Sequence, residues 1–238
     1  MSLVWTIIRK TFSDIWSESF LLILFNVIWV LGSAPGLLLL AYGAITRAVL
    51  LLLIGFITII PWPFLTFSLF HMAYEVGEGK AIGFRRFFVL GRQVWRQAYL
   101  WGGMNLVVIP ILVANISFYS NPDAPWGGNT IGTVVSSFFI SIAIFWMVLQ
   151  EFALTVYPRL EKPGIRNTLS FAAQIILRWP IPALSATFIS LCFCLISFFI
   201  PILPILITFS FIAVLANRAM AEILAEDSRR KGDKPAGT

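Results

Sequence analysis

The run LLILFNVIWVLGSAPGLLLLAY, from Leu21 to Tyr42, holds no charged residue and is apolar on every face. An α-helix needs roughly 20 such residues to cross a bilayer. A strand of a transmembrane barrel would alternate apolar and polar residues with period two, so that alternative is excluded. Helices satisfy their own backbone groups in lipid, which makes the membrane-spanning helix the expected unit. Comparable runs recur because the charges are few and clustered. Of the 238 residues, 59% are hydrophobic and 12% charged, with a mean hydropathy of +0.89, where a soluble domain would carry about a quarter charged residues. Six spans are predicted, over 20–42, 48–73, 99–119, 131–154, 181–200 and 203–224. The fold class is therefore an all-α, polytopic transmembrane helical bundle with amphipathic interfacial helices. Residues 1–19 read as a retained amphipathic segment, since Asp14 and Glu18 fall within it and no small-residue cleavage site follows a short apolar core.

Loop charge orients the spans. The N-terminal segment holds Arg9 and Lys10. The second loop holds Lys80, Arg85, Arg86, Arg92 and Arg96. The fourth holds Arg159, Lys162, Arg166 and Arg178, and the last helix with its tail holds Arg218, Arg229, Arg230, Lys231 and Lys234. Sixteen of the 17 basic residues thus fall on one side, and only Arg47 lies in an intervening turn. The positive-inside rule places that side, with both termini, in the cytoplasm. The implied location is the inner (plasma) membrane. The net charge of +6 then reflects topology and contact with anionic lipid headgroups, and no nucleic-acid partner is needed to explain it. Trp5, Trp16, Trp95, Trp101, Trp126 and Trp179 are predicted near the water interfaces, where an amphipathic ring is favoured. Trp29 and Trp146 lie deeper and point to helix packing.

Three basic segments have helical amphipathicity. In the first, Val4, Ile7, Ile8, Ile15 and Trp16 oppose Arg9, Lys10, Ser13 and Asp14. In the second, Phe84, Phe87, Phe88, Gly91, Trp95 and Ala98 oppose Arg85, Arg92 and Arg96. In the third, Ile165, Leu169, Ala172, Ala173 and Ile176 oppose Arg166, Asn167, Ser170 and Gln174. Such helices are expected to lie in the interface plane. Each precedes a hairpin of two spans, and each hairpin returns to a glutamate, namely Glu75, Glu151 and Glu222. The pattern suggests a single domain, 1–225, of three parallel repeats over about 1–75, 76–155 and 156–225, followed by a flexible basic tail, 226–238. A chain of hairpins anchored on one side would have the same appearance without being a repeat.

Ionisable groups in or near spans are the default functional candidates. Here they are His71, Glu75, Glu151 and Arg218. If the repeat holds, the glutamates meet at one depth and pair with Arg218 or loop arginines, or line a vestibule. The competing reading leaves them at helix ends in headgroup water. Asn26 and Asn105 read as hydrogen-bonding links between helices. Pro35-Gly36, Pro61-Trp62-Pro63 and Pro110 interrupt apolar runs, either as plain kinks or as broken helices. No catalytic, cofactor or metal site is predicted. The chain has one histidine, no nucleophile elbow, no H-E-x-x-H and no phosphate-binding loop. Cys192 and Cys194, two apart on a helix, face apart and read as small apolar residues rather than as a disulfide.

The sequence also resembles a family. An amphipathic start leads to Asn26-Val27-Ile28-Trp29-Val30-Leu31 and Ser33-Ala34-Pro35. Then come PFLTFSLFHMAYEVGEGKAIGFRRFFVLGRQVWRQAYLWGG and, later, YPRLEKPGIRNTLSFAAQIILRWPIPAL. These stretches, covering nearly the whole chain, resemble the YesL-like family of bacterial inner-membrane proteins. There are two departures. Pro63 to Tyr74 lacks the glycine and paired alanines of the family's motif, and the stretch from Pro35 to Pro63 is longer. The resemblance implies no activity and no functional residue. It does imply a setting beside carbohydrate-utilisation and sugar-transporter genes. The expected function is a non-enzymatic accessory or regulatory component of a transport system, with a transporter subunit as partner. Two alternatives stay open: a small transporter or channel whose path is lined by Glu75, Glu151 and Arg218, and a structural subunit of a larger membrane complex.

Overall fold

A computed structural model describes residues 3–80, 82–127, 129–230 and 232. The helices are α1 (Leu3–Ser17), α2 (Ser19–Thr46), α3 (Val49–Thr58), α4 (Pro61–Gly77), α5 (Phe84–Gln93) and α6 (Trp95–Ser120). They continue with α7 (Thr130–Val156), α8 (Ile165–Arg178), α9 (Pro180–Phe199), α10 (Ile202–Leu206) and α11 (Thr208–Arg230). A 3-10 turn, Tyr157–Arg159, extends α7, and no strand occurs among the described residues. Six segments are long and apolar enough to cross a membrane: α2, α3 with α4, α6, α7 with its turn, α9, and α11. This is the multi-pass helical bundle that the apolar runs predict. The amphipathic segments are α1, α5 and α8.

The prolines act unequally. Pro35 and Pro110 lie inside α2 and α6, which run through them. The chain breaks instead before Pro61, between α3 and α4, and around Pro201 and Pro204, which isolate the short α10. Pro61 sits in the first turn of α4, where its missing N–H would have had no helical partner.

The helices pack in a cyclic order. The second span of each hairpin meets the amphipathic helix of the next unit: α4 on α5, α7 on α8, and α11 on α1. Each first span packs between its own partner and the second span of the preceding unit. Thus α2 touches α4 and α11, α6 touches α7 and α4, and α9 touches α11 and α7. The second spans α4, α7 and α11 also touch one another. Of the six spans α11 is the least apolar and the most buried, as befits a helix that faces other helices rather than lipid. Its Ala213, Val214 and Ala216 join Leu22, Phe25 and Met72 in one core. Its Leu215, Ala219 and Met220 join Ile7, Phe152 and Ala183 in the other.

The far ends of the hairpins close differently. α3 buries only Gly55, and α10 buries nothing. A Cβ on Gly36 would lie 2.6 Å from the backbone of Ile59, so α2 and the break before α4 approach too closely for a side chain there. Hairpin two is joined by Ser120 Oγ and Ser136 Oγ at 2.7 Å, and hairpin three by Ser197 Oγ and Thr208 Oγ1 at 2.7 Å.

Two expectations need correction. α1 does not turn all of its polar side to water: Arg9, Lys10 and Ser13 are exposed, but Asp14 is buried with Ile7 and Thr11, while Trp16 of the apolar side is 87% exposed. The cause is that α11 offers Arg218 and Glu222 to that face. Trp101 and Trp179, near the starts of α6 and α9, are buried by protein contacts. Trp101 packs on Trp62 and Phe67, and the Trp179 indole N–H points at Asp227. The tail does not begin at 226, because α11 stays helical to Arg230, held where Arg178 pairs with Asp227 and Arg230 lies over the Trp179 ring. Apart from Gly232, the rest of the expected tail lies outside the described residues.

Candidate functional site

The charged residues gather at the end of the bundle that carries α1, α5 and α8. Arg218 of α11 grips both carboxylate oxygens of Asp14: its Nε donates to Oδ2, and its Nη2 to Oδ1 at 2.6 Å. One turn further along α11, Glu222 accepts from Lys10 Nζ at 2.5 Å. Lys10 and Asp14 are four apart on α1, as are Arg218 and Glu222 on α11, so opposite charges meet in register. Two-point attachment of this kind fixes both the rotation and the sliding of α1.

Glu75, buried near the end of α4, accepts from Arg86 Nη2 at 2.8 Å and from Nε at 3.2 and 3.3 Å. The hydrogen-bonded carboxylate raises the Arg86 guanidinium above its usual pKa, so this pair keeps its positive partner at any physiological pH. Arg86 lies in the first turn of α5, so the bond holds the amphipathic helix against the span before it.

Arg159, a loop arginine in the sequence reading, instead sits among the three second spans. It donates to Thr155 O at 2.5 Å, Asn217 Oδ1 at 2.8 Å and Asn217 O at 3.2 Å, and lies 4.6 Å over the Tyr74 ring. Asn217 in turn donates to Phe70 O at 3.2 Å. One guanidinium therefore ties α7 to α11 and α4.

Glu151 behaves differently from the other two glutamates. It is 8% exposed, accepts from Ser190 Oγ of α9 at 2.7 Å, and enters no ion pair among the described residues. His71 is half-buried, its Nδ1 donating to Phe67 O at 3.2 Å and its ring edge-on to Tyr157. Thus Glu75, Glu151 and Glu222 bond to α5, α9 and α1 respectively and not to one another. None of five cavities along the described residues is lined by His71, Glu75, Glu151 or Arg218.

Deeper in the spans the amides do structural work. Asn26 Nδ2 donates to Pro204 O and Ile205 O, both at 2.7 Å, and its Oδ1 accepts from Phe209 N and Ser210 N at 2.8 and 3.1 Å. It thereby satisfies the backbone groups freed by the break between α10 and α11, which lipid could not. Asn105 bonds Gln150 Oε1 and accepts from Trp146 Nε1. Trp29 donates to Thr66 Oγ1 at 2.9 Å. Both deep tryptophans therefore serve packing.

Sequence reasoning missed Asp14, Arg159 and Asn217 as parts of the site. The one available clue was the matched four-residue spacing of opposite charges in the first and last segments. Among the described residues no three His, Cys, Asp or Glu side chains are grouped to hold a metal, and Cys192 and Cys194 are free thiols. No protein-family model matches the chain, no curated protein matches it in sequence, and no solved structure matches it.

Proposed function

We propose that this multi-pass membrane protein is a non-enzymatic accessory or regulatory component of a transport system, with carbohydrate uptake as the first candidate and its basic end in the cytoplasm. The observation that carries the reading is the use of the ionisable groups. Arg218, Glu75, Glu222 and Arg159 are each bonded across helices: Arg218, Glu222 and Glu75 brace α1 and α5, which with α8 make a collar, and Arg159 ties the second spans together. The collar presents the exposed Arg85, Arg92 and Arg166 outward, a surface suited to an acidic partner. We take the three units as repeats, in keeping with the cyclic order of their contacts, and the chain as similar to YesL-like proteins. Isolation from native membranes in mild detergent tests the proposal. A solute transporter's membrane subunit is expected to co-purify in fixed ratio and to be lost on charge reversal of Arg85, Arg92 and Arg166. A chain that isolates alone overturns it. Reporter fusions at either terminus test the orientation.

One observation favours the transporter alternative: Glu151 is a carboxylate inside a span, bonded by a hydroxyl and not by a cation. That reading predicts proton- or cation-dependent solute uptake by the purified chain in vesicles, abolished in Glu151→Gln. Uptake that Glu151→Gln leaves unchanged would remove it.

A further inference from the structure

Two cavities adjoin along α1 and α9. The first, about 570 Å³, lies where α1, the start of α9 and the end of α11 meet; its charged walls are Lys10, Arg178, Arg229, Arg230, Glu222 and Glu226. The second, about 650 Å³, runs between α7 and α9 and is lined by Val4, Ile144, Met147, Leu184, Phe188 and Leu191 among others. Leu3 borders the first and Val4 the second; Ile181 and Pro182 border the first, Leu184 and Ser185 the second. Ile181, Leu184, Ser185 and Phe188 share one face of α9, by their spacing of three, four and seven. A charged chamber at the end of the spans thus continues into an apolar groove along them.

From this juxtaposition we infer a binding site for one anionic phospholipid, its phosphate in the charged chamber and an acyl chain in the groove between α7 and α9. Lys10, Arg178, Arg229 and Arg230 stand against Glu222, Glu226 and the Asp227 paired with Arg178, which leaves an excess of one positive charge, complementary to the phosphate of an anionic lipid. The cationic heads are accessible: the Arg178, Arg229, Arg230 and Lys10 side chains are half or more exposed even within their ion pairs. Arginine forks suit phosphate oxygens, and basic pockets at the end of spans are where headgroups bind. The groove carries almost no polar wall, so a hydrocarbon chain meets nothing it must desolvate. A free phosphate would use only the upper chamber, and a zwitterionic lipid would lack the charge.

The test uses the delipidated full-length protein in detergent, with thermal unfolding and native mass spectrometry as readouts. Phosphatidylglycerol is expected to raise Tm and to appear as one bound lipid per chain, while phosphatidylcholine and inorganic phosphate at equal concentration do neither. Arg229→Gln with Arg230→Gln, on the exposed end of α11, is expected to weaken phosphatidylglycerol binding roughly fivefold per arginine. Leu184→Trp, which fills the groove from a half-exposed position, is expected to weaken it while leaving the charged chamber intact. Unchanged elution and circular dichroism confirm that the variants fold. Equal binding of phosphatidylcholine overturns the proposal, as does an equal response to inorganic phosphate. So does binding that survives both sets of substitutions.

Discussion

The two ends of the bundle are held by different means. At the basic end the contacts run between units: Asp14 to Arg218, Lys10 to Glu222, Glu75 to Arg86, and Arg159 among α4, α7 and α11. Toward the far end contacts within each hairpin join in, namely the close approach at Gly36, the hydroxyl pair Ser120–Ser136 and the pair Ser197–Thr208, and the link between hairpins one and three is the uncharged amide of Asn26. The difference follows from the surroundings. Near headgroup water a span can end in a charge, and a charge can reach a neighbouring unit. Where the spans carry no charge, small residues, satisfied hydroxyls and amides are what is cheap to bury. The basic end therefore orders the hairpins by charge, and the far end holds them by close packing and neutral hydrogen bonds.

The comparison breaks most visibly at Arg218. Arg218→Ala leaves Asp14 buried without its partner and is expected to cost about 3 kcal/mol, read as a lower midpoint of unfolding in mixed micelles. The charge swap Asp14→Arg with Arg218→Asp should recover most of the loss; no recovery would mean that the pair is not what orders the units. Asn26→Leu strips partners from the backbone at the α10–α11 break and is expected to cost about 2 kcal/mol. Because Asn26 links hairpins one and three, spin-label distances between α2 and α10 should lengthen while those between α1 and α11 hold. Gly36→Val overpacks the far end by about 1 to 2 kcal/mol. It should widen the α2–α3 spacing and leave the Lys10–Glu222 approach unchanged, as cysteine cross-linking would report. The smallest effect is expected for Glu75→Gln, under about 1 kcal/mol, because Arg86 is half-exposed and water replaces the lost carboxylate. A large loss there would show that the collar is less solvated than its geometry indicates.

Much of this plan is legible in the residues. The apolar runs locate all six spans, and the clustering of basic residues identifies the end where the ion pairs form. What could not be read is which charges meet. Amphipathicity shows that Asp14 and Lys10 share a polar face, but not that α1 turns the Asp14 edge of that face inward, toward α11. Its partners lie more than 200 residues away along the chain. Arg159 was hidden for a related reason: in sequence it is one more loop arginine, and only the convergence of three helices makes it central. Asn26 was readable as a link between helices. That it repairs a backbone break was not, since the break is set by Pro201 and Pro204 in another hairpin.

The cyclic packing places the first helix of the chain against the last. α1 is made well before α11, so Asp14 and Lys10 lack counter-charges until α11 arrives, while Asn26 and Arg159 wait for groups on the third hairpin. All four find these partners on α10 and α11. A chain truncated before α11 therefore leaves Asp14 without Arg218, Lys10 without Glu222 and Arg159 without Asn217, a ready mark for membrane quality control.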